Sequence, residues 1–124
     1  MKVLLSINPE YVEKIFSGEK KYEFRRSIFK NKNVDTIVIY CTSPIKKVVG
    51  EFKIKQIIED FPEKLWKLNP KRNGISKEKF ETYFFKKEKG YAIEIAQVRK
   101  YRNFKTLQEV DSTIKAAPQS FLYL

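Results

Sequence analysis

Gly18 to Arg26, read GEKKYEFRR, gathers six charged and two aromatic side chains into nine residues. Successive side chains of an extended segment point to opposite faces. Glu23 and Arg25 therefore share one face, and Tyr22, Phe24 and Arg26 the other. The aromatic pair can anchor in a core while its reverse presents a carboxylate beside a guanidinium. A carboxylate accepts from the exocyclic amine of cytosine or adenine; an arginine grips phosphate, pairs with a guanine edge or stacks on a base. The plainer reading is a structural ion pair at a barrel mouth. Desolvation offsets the attraction in such a pair, so a site that keeps one is a fair candidate for binding. Lys20 is out of register with Glu23 and falls in the turn, at the lip of a cleft. There it is a solvated lysine, a phosphate contact, or a base with its pKa lowered by Lys21, Arg25 and Arg26. Arg26 lies over an aromatic ring or leaves at the strand's end.

The elements that must position these residues are legible on both sides. Val3 to Ile7 reads as a first strand. Asn8-Pro9 opens a helix whose apolar face is Tyr11, Val12, Ile15 and Phe16, and Ser17-Gly18 closes it in a left-handed conformation. A strand over Lys21–Arg26 follows, then a loop to Asp35. Val34 to Cys41 is a nearly continuous apolar run, as in a strand buried on both faces. Lys46 to Ile58 alternates, with Val48, Phe52 and Ile54 on one parity and Gly50 marking a bulge or bend. A short helix is expected over Asp60–Asn69, anchored by Trp66. Asn73-Gly74 signals a turn, and Ser76 caps a helix bearing Phe80, Tyr83 and Phe84. Tyr91 to Val98 is a strand, Asn103 to Lys105 a turn, and Thr106 to Glu109 a capping box. The apolar tail APQSFLYL is expected to tuck against the fold.

Five or six strands with short helices between them, and a glycine bend in the longest, indicate an α+β fold around a small barrel. At 124 residues the chain reads as one domain, residues 1–124, with enough core to fold. The net charge is +11, from 26 Lys and Arg against 15 Asp and Glu, which favours a polyanionic partner. Lysine-rich composition alone is the competing explanation. The chain has no histidine, which excludes Ser-His-Asp and Cys-His catalysis. One cysteine, Cys41, excludes an intrachain disulfide and a cysteine-rich zinc site, though not Mg²⁺ at carboxylates. No cofactor is implied. No stretch approaches the roughly 20 apolar residues that span a membrane, and the apolar start is too short for a signal peptide, so a cytoplasmic location is expected.

Gly18, Lys20, Glu23 and Arg25 spell GxKxxExR after a strand and a short helix. This resembles the signature of the ASCH domain family, within the PUA-like β-barrels. VIYCTSP, VVGEF, KGYAIEI and PQSFLYL resemble small stand-alone ASCH proteins along essentially the whole chain. The resemblance implies a cleft beside the motif that binds RNA or nucleotides, with links to transcription coactivation or RNA processing. It also implies, for one branch, hydrolysis of the acetyl-amide of N4-acetylcytidine. That branch uses the motif lysine, a threonine where this chain has Glu23, and a glutamate for which Glu51 is the candidate here. Lys20 matches, but the threonine nucleophile is missing.

The expected ligand set is Lys20, Glu23, Arg25 and Arg26, with Tyr40 and Ser43 where the central strand ends and Ser120 and Tyr123 from the tail. Lys46, Lys47, Lys53, Lys55, Lys86, Lys87 and Lys89 would flank the cleft as a phosphate track. RNA or a nucleotide is the expected partner. A modified-nucleoside hydrolase with Lys20 and Glu23 as acid/base residues is one alternative; a module binding a protein partner is the other.

Overall fold

A computed structural model describes residues 1–124. Its strands are β1 (Lys2–Ile7), β2 (Tyr22–Arg25), β3 (Thr36–Cys41), β4 (Lys47–Asp60), β5 (Gly90–Lys105) and β6 (Leu122–Tyr123). The helices are α1 (Pro9–Ser17), α2 (Pro62–Trp66), α3 (Lys77–Tyr83) and α4 (Leu107–Val110), with a single 3-10 turn at Pro70–Arg72. The strands form one sheet in the order β2-β5-β4-β3-β1-β6, antiparallel throughout except for the β1–β3 pair.

This sheet is curled into a half-barrel. β2 and β1 are separated by β5, β4 and β3. Four strand spacings of a flat sheet would hold them ~19 Å apart. Yet Arg25 on β2 reaches the carbonyl of Ser6 on β1 at 3.4 Å. The interior holds Leu5, Ile7, Ile15, Ile37, Phe52 and Ile93. A second cluster lies on the outer face under α4 and the tail, around Val38, Tyr40 and Leu107. A third packs Tyr22 and Phe24 against Phe80 and Phe84 of the α3 region.

The local signals explain most of the elements. Gly18 caps α1 with φ +85°, and its amide donates to the Ile15 carbonyl at 3.2 Å. Ser76 Oγ accepts from the Lys79 amide at 3.2 Å, and Thr106 and Glu109 form the capping box. The tail is pinned to β1 by β6 and by Ser6 Oγ, which donates to the Pro118 carbonyl at 2.8 Å.

Two expectations needed correction. The parity assigned to β4 fails at Gly50: Val48 faces the outer cluster, whereas Val49 and Phe52 face the interior. A register shift between Val48 and Gly50 switches the faces. A Cβ at Gly50 would stand 2.5 Å from the Arg99 carbonyl oxygen and 2.8 Å from the Phe16 ring, so strand and helix close there only on glycine. Nor does β5 end at Val98 before a turn. It continues to Lys105 through a kink at Gln97, φ +45°, because the bulged β4 keeps pairing with it.

Candidate functional site

The motif lies where the curled sheet meets itself. Glu23 pairs with Ile93, an interior residue, so its side chain enters the barrel mouth. Phe24 pairs with Ala92 and packs outward beneath α3. Glu23 and Arg25 therefore share a face, and Arg25 Nη1 stands 3.3 Å from Glu23 Oε2. The same Nη1 donates to the Ser6 carbonyl at 3.4 Å, and Nη2 donates to the Ser120 carbonyl at 2.9 Å. The guanidinium thus joins β2, β1 and the tail across the barrel seam.

Lys20 is not solvated at the lip. It is 3% exposed, and its ammonium donates to the Asn73 carbonyl at 2.9 Å. That ammonium also lies 5.2 Å from the Tyr11 ring centroid and 5.0 Å from that of Phe24, both within cation–π reach. Burial holds its pKa below the ordinary lysine value, with Lys14 adding to the shift and Glu23 opposing it. The sequence expectation blamed neighbouring cations in the motif; desolvation is the larger cause.

The Lys20 stem threads past Gly74, whose φ is +70°. A Cβ at Gly74 would stand 2.5, 2.6 and 2.9 Å from Lys20 Cβ, Cγ and Cδ. Asn73 is fully buried and donates through Nδ2 to the Trp66 carbonyl at 2.8 Å. The Asn-Gly turn therefore receives the lysine. The sequence signalled that turn; nothing in it linked the turn to a residue 53 positions earlier.

These groups line an open cleft of about 520 Å³ between the barrel mouth and α3. Lys20, Glu23, Arg25, Arg26, Tyr11 and Tyr83 all border it. Arg26 lies over the Tyr83 ring at 4.9 Å, and its amide donates to the Tyr83 hydroxyl at 3.1 Å. Lys79, at the cleft edge, pairs with Glu10 at 3.2 Å.

Ser120 joins the site through its backbone carbonyl. Three other expected residues do not line the cleft. Tyr40 points to the outer face because β3 alternates, Ile39 and Cys41 turning inward, and it packs with Val48 and Leu107. Ser43 is exposed in the turn after β3. The Tyr123 hydroxyl instead accepts from the amides of Lys30 and Asn31, both at 3.1 Å. Glu51 pairs with Val38 and faces outward, the wrong side of the sheet to serve with Lys20. The proposed lysine track is also dispersed. Lys53 donates to Thr36, Lys55 pairs with Glu94, and Lys86 and Lys87 border a separate hollow beside Trp66.

Fold and site define a PUA-like α+β barrel with a charged cleft at its seam. Residues 5–102 match the ASCH domain, and the chain belongs to that family. It is 30% identical, over 99% of its own length and 84% of the relative's, to a protein of Zymomonas mobilis named ASCH domain-containing ribonuclease. The crystal structure of ASCH from Zymomonas mobilis superposes with TM-score 0.89 and 28% identity, covering 99% of this chain and 87% of that one. The chain is also 33% identical, over 98% of its length, to a Ureaplasma parvum protein named large ribosomal subunit protein uL22, of which it spans only 39%. No helix is long and apolar enough to cross a membrane.

Proposed function

We propose that this chain binds RNA, or a nucleotide derived from it, in the cleft around Lys20, Glu23 and Arg26. The observation that carries the reading is the burial of Lys20 beside an open cleft. Keeping an ammonium and a Glu–Arg pair out of water costs stability, and such groups gather where a ligand repays the desolvation. Arg25 spends its fork on two carbonyls and Glu23, and Lys79 is paired with Glu10, which leaves Arg26 as the phosphate contact. The remaining carboxylate capacity of Glu23 suits a base amine, and Tyr83 carries Arg26 as a stacking plane. The relative named as a ribonuclease supports an RNA-related role. Fluorescence anisotropy with a labelled single-stranded RNA tests this. Affinity should fall with salt, and Arg26→Gln should weaken it about tenfold, roughly one charged contact. Absence of salt-sensitive RNA binding refutes the reading.

A second reading, RNA cleavage, draws on the lowered Lys20 pKa. A neutral amine at Lys20 would take the proton of a ribose 2′-hydroxyl as that oxygen attacks phosphorus, and the departing 5′-oxygen would take a proton from solvent water. Incubating RNA with wild type and Lys20→Met separates the two: binding without product in either leaves the chain a binding domain. Acetylcytidine hydrolysis by a hydroxyl nucleophile has no support at Glu23, which carries none.

A further inference from the structure

The β4–β5 ribbon carries a second basic hollow, on the opposite face of the sheet from the Glu23 cleft. Register sets this placement. Glu51 shares its face with Val38 and the outer cluster, whereas Glu23 shares its face with Ile93 and the interior. The hollow measures about 330 Å³, and its charged lining is Lys2, Glu51, Arg99, Arg102 and Lys105.

The hollow is organised around one carboxylate. Glu51, 8% exposed, accepts from Tyr101 Oη at 2.8 Å and from Lys2 Nζ at 3.3 Å. Those bonds fix the Tyr101 ring, and Arg99 and Lys105 lie over it at 5.6 and 5.4 Å. Lys2 is the ion-pair partner of Glu51, and Arg99, Arg102 and Lys105 make no ion pair. Four cations thus face one already-paired carboxylate, and their mutual repulsion is relieved by a bound polyanion.

A lysine-rich composition does not explain this placement. Among the 26 cationic residues only five are arginine. Arg25 and Arg26 border the Glu23 cleft, and Arg99 and Arg102 border the hollow. A guanidinium presents a planar fork matched to phosphate oxygens, which an ammonium does not.

We infer that this hollow is a second backbone-phosphate site for single-stranded RNA, engaged together with the Glu23 cleft by a strand long enough to pass around the barrel edge. The inference rests on the RNA reading above. It is tested with a dinucleotide and with a strand of about 20 nucleotides, longer than the roughly 4–16 that one small barrel covers. The variant is Arg99→Gln/Arg102→Gln/Lys105→Gln, three exposed positions, with its melting temperature checked against wild type. Loss of three phosphate contacts should make the log–log salt slope for the long strand shallower by about 2 and weaken binding at least ~10-fold at low salt. Dinucleotide binding should not change. Wild-type affinity and slope in the triple variant overturn the second site and leave the cleft reading standing. Equal weakening for the dinucleotide also overturns it, since the hollow would not be separate. If wild type binds neither RNA, the cleft reading falls and this inference with it.

Discussion

Replacing Gly74 by alanine tests whether the Asn-Gly turn is built to receive Lys20. Two costs should add. The residue sits at φ +70°, where a Cβ costs about 1–2 kcal/mol. The new Cβ also stands 2.5 to 2.9 Å from the Lys20 stem, well inside the roughly 3.5–4.0 Å of a favourable carbon contact. Because the nearest atom is Lys20 Cβ, tied to the backbone, relief requires main-chain movement, and overpacking of this kind costs about 1–3 kcal/mol. The chain supplies its own control. Gly18 has φ +85° with nothing within 4 Å of a built Cβ, so Gly18→Ala carries the backbone cost alone. Both variants gain the same ~0.4–1 kcal/mol from a stiffer unfolded chain, which cancels in the comparison. Gly74→Ala should therefore be less stable than Gly18→Ala by about 1–3 kcal/mol in urea unfolding. At ~2.1 cal/mol/K of unfolding entropy per residue, that is a gap of roughly 4–12 °C in melting temperature. RNA affinity should fall in Gly74→Ala and stay at the wild-type value in Gly18→Ala. Equal destabilisation of the two variants refutes the packing argument.

The burial of Lys20 has a pH signature. Its folded pKa lies below that of the unfolded chain, so the unfolded state holds the extra proton between the two values, and stability rises with pH there. The penalty is complete below the folded pKa and is relieved as pH climbs through it towards 10.5. Urea midpoints at about pH 7 and pH 10 should therefore show wild type gaining on Lys20→Met; a constant gap means the ammonium is not desolvated. Tyr101 offers a spectroscopic readout, since burial and its bond to Glu51 raise the hydroxyl to about 12. Phenolate absorbance should rise last at that position, and Tyr101→Phe should delete that final limb only. Superimposable upper limbs would count against the Glu51 contact. Arg25→Lys, which replaces a fork to Ser6, Ser120 and Glu23 by one ammonium, should destabilise by about 2 kcal/mol and speed amide exchange in the tail.

The parts of this fold legible in the sequence were those set by local chemistry. Gly18, Ser76 and the Thr106–Glu109 box act within one helical turn, and the alternation of Tyr22, Glu23, Phe24 and Arg25 follows from the pleat. What escaped depends on distant partners. Lys20 looks like any turn lysine until Asn73 and Gly74 are folded beside it. Tyr40 carries a hydroxyl near a strand end, but its face is decided by β3 having an interior side and an outer side. The β4 parity broke because the bulge at Gly50 answers to the Phe16 ring and the Arg99 carbonyl, neither visible from the alternation itself. The GxKxxExR pattern was strong on membership and weak on geometry. It names four residues, yet Tyr11 of α1, Lys79 and Tyr83 of α3 and Gln119 of the tail also line the cleft.

The Glu23–Arg25 pair was open to two readings, a structural clasp or a ligand reader, and the hydrogen bonds divide the roles between its members. Arg25 uses Nη1 on Glu23 and Ser6 and Nη2 on Ser120, three acceptors from three different segments. A guanidinium so occupied can meet a phosphate only by releasing the seam. Glu23 is held through Oε2, and a carboxylate oxygen accepts more than one bond. Oε1 has no bond to the protein, and Glu23 borders the open cleft. The clasp therefore orients the carboxylate that borders the open cleft. Its positive counterpart in the cleft is Arg26, the residue just past the end of β2, carried on Tyr83. Arg25 thus closes the seam, while Glu23 and Arg26 keep charged groups at the cleft and the buried Lys20 ammonium donates to the Asn-Gly turn.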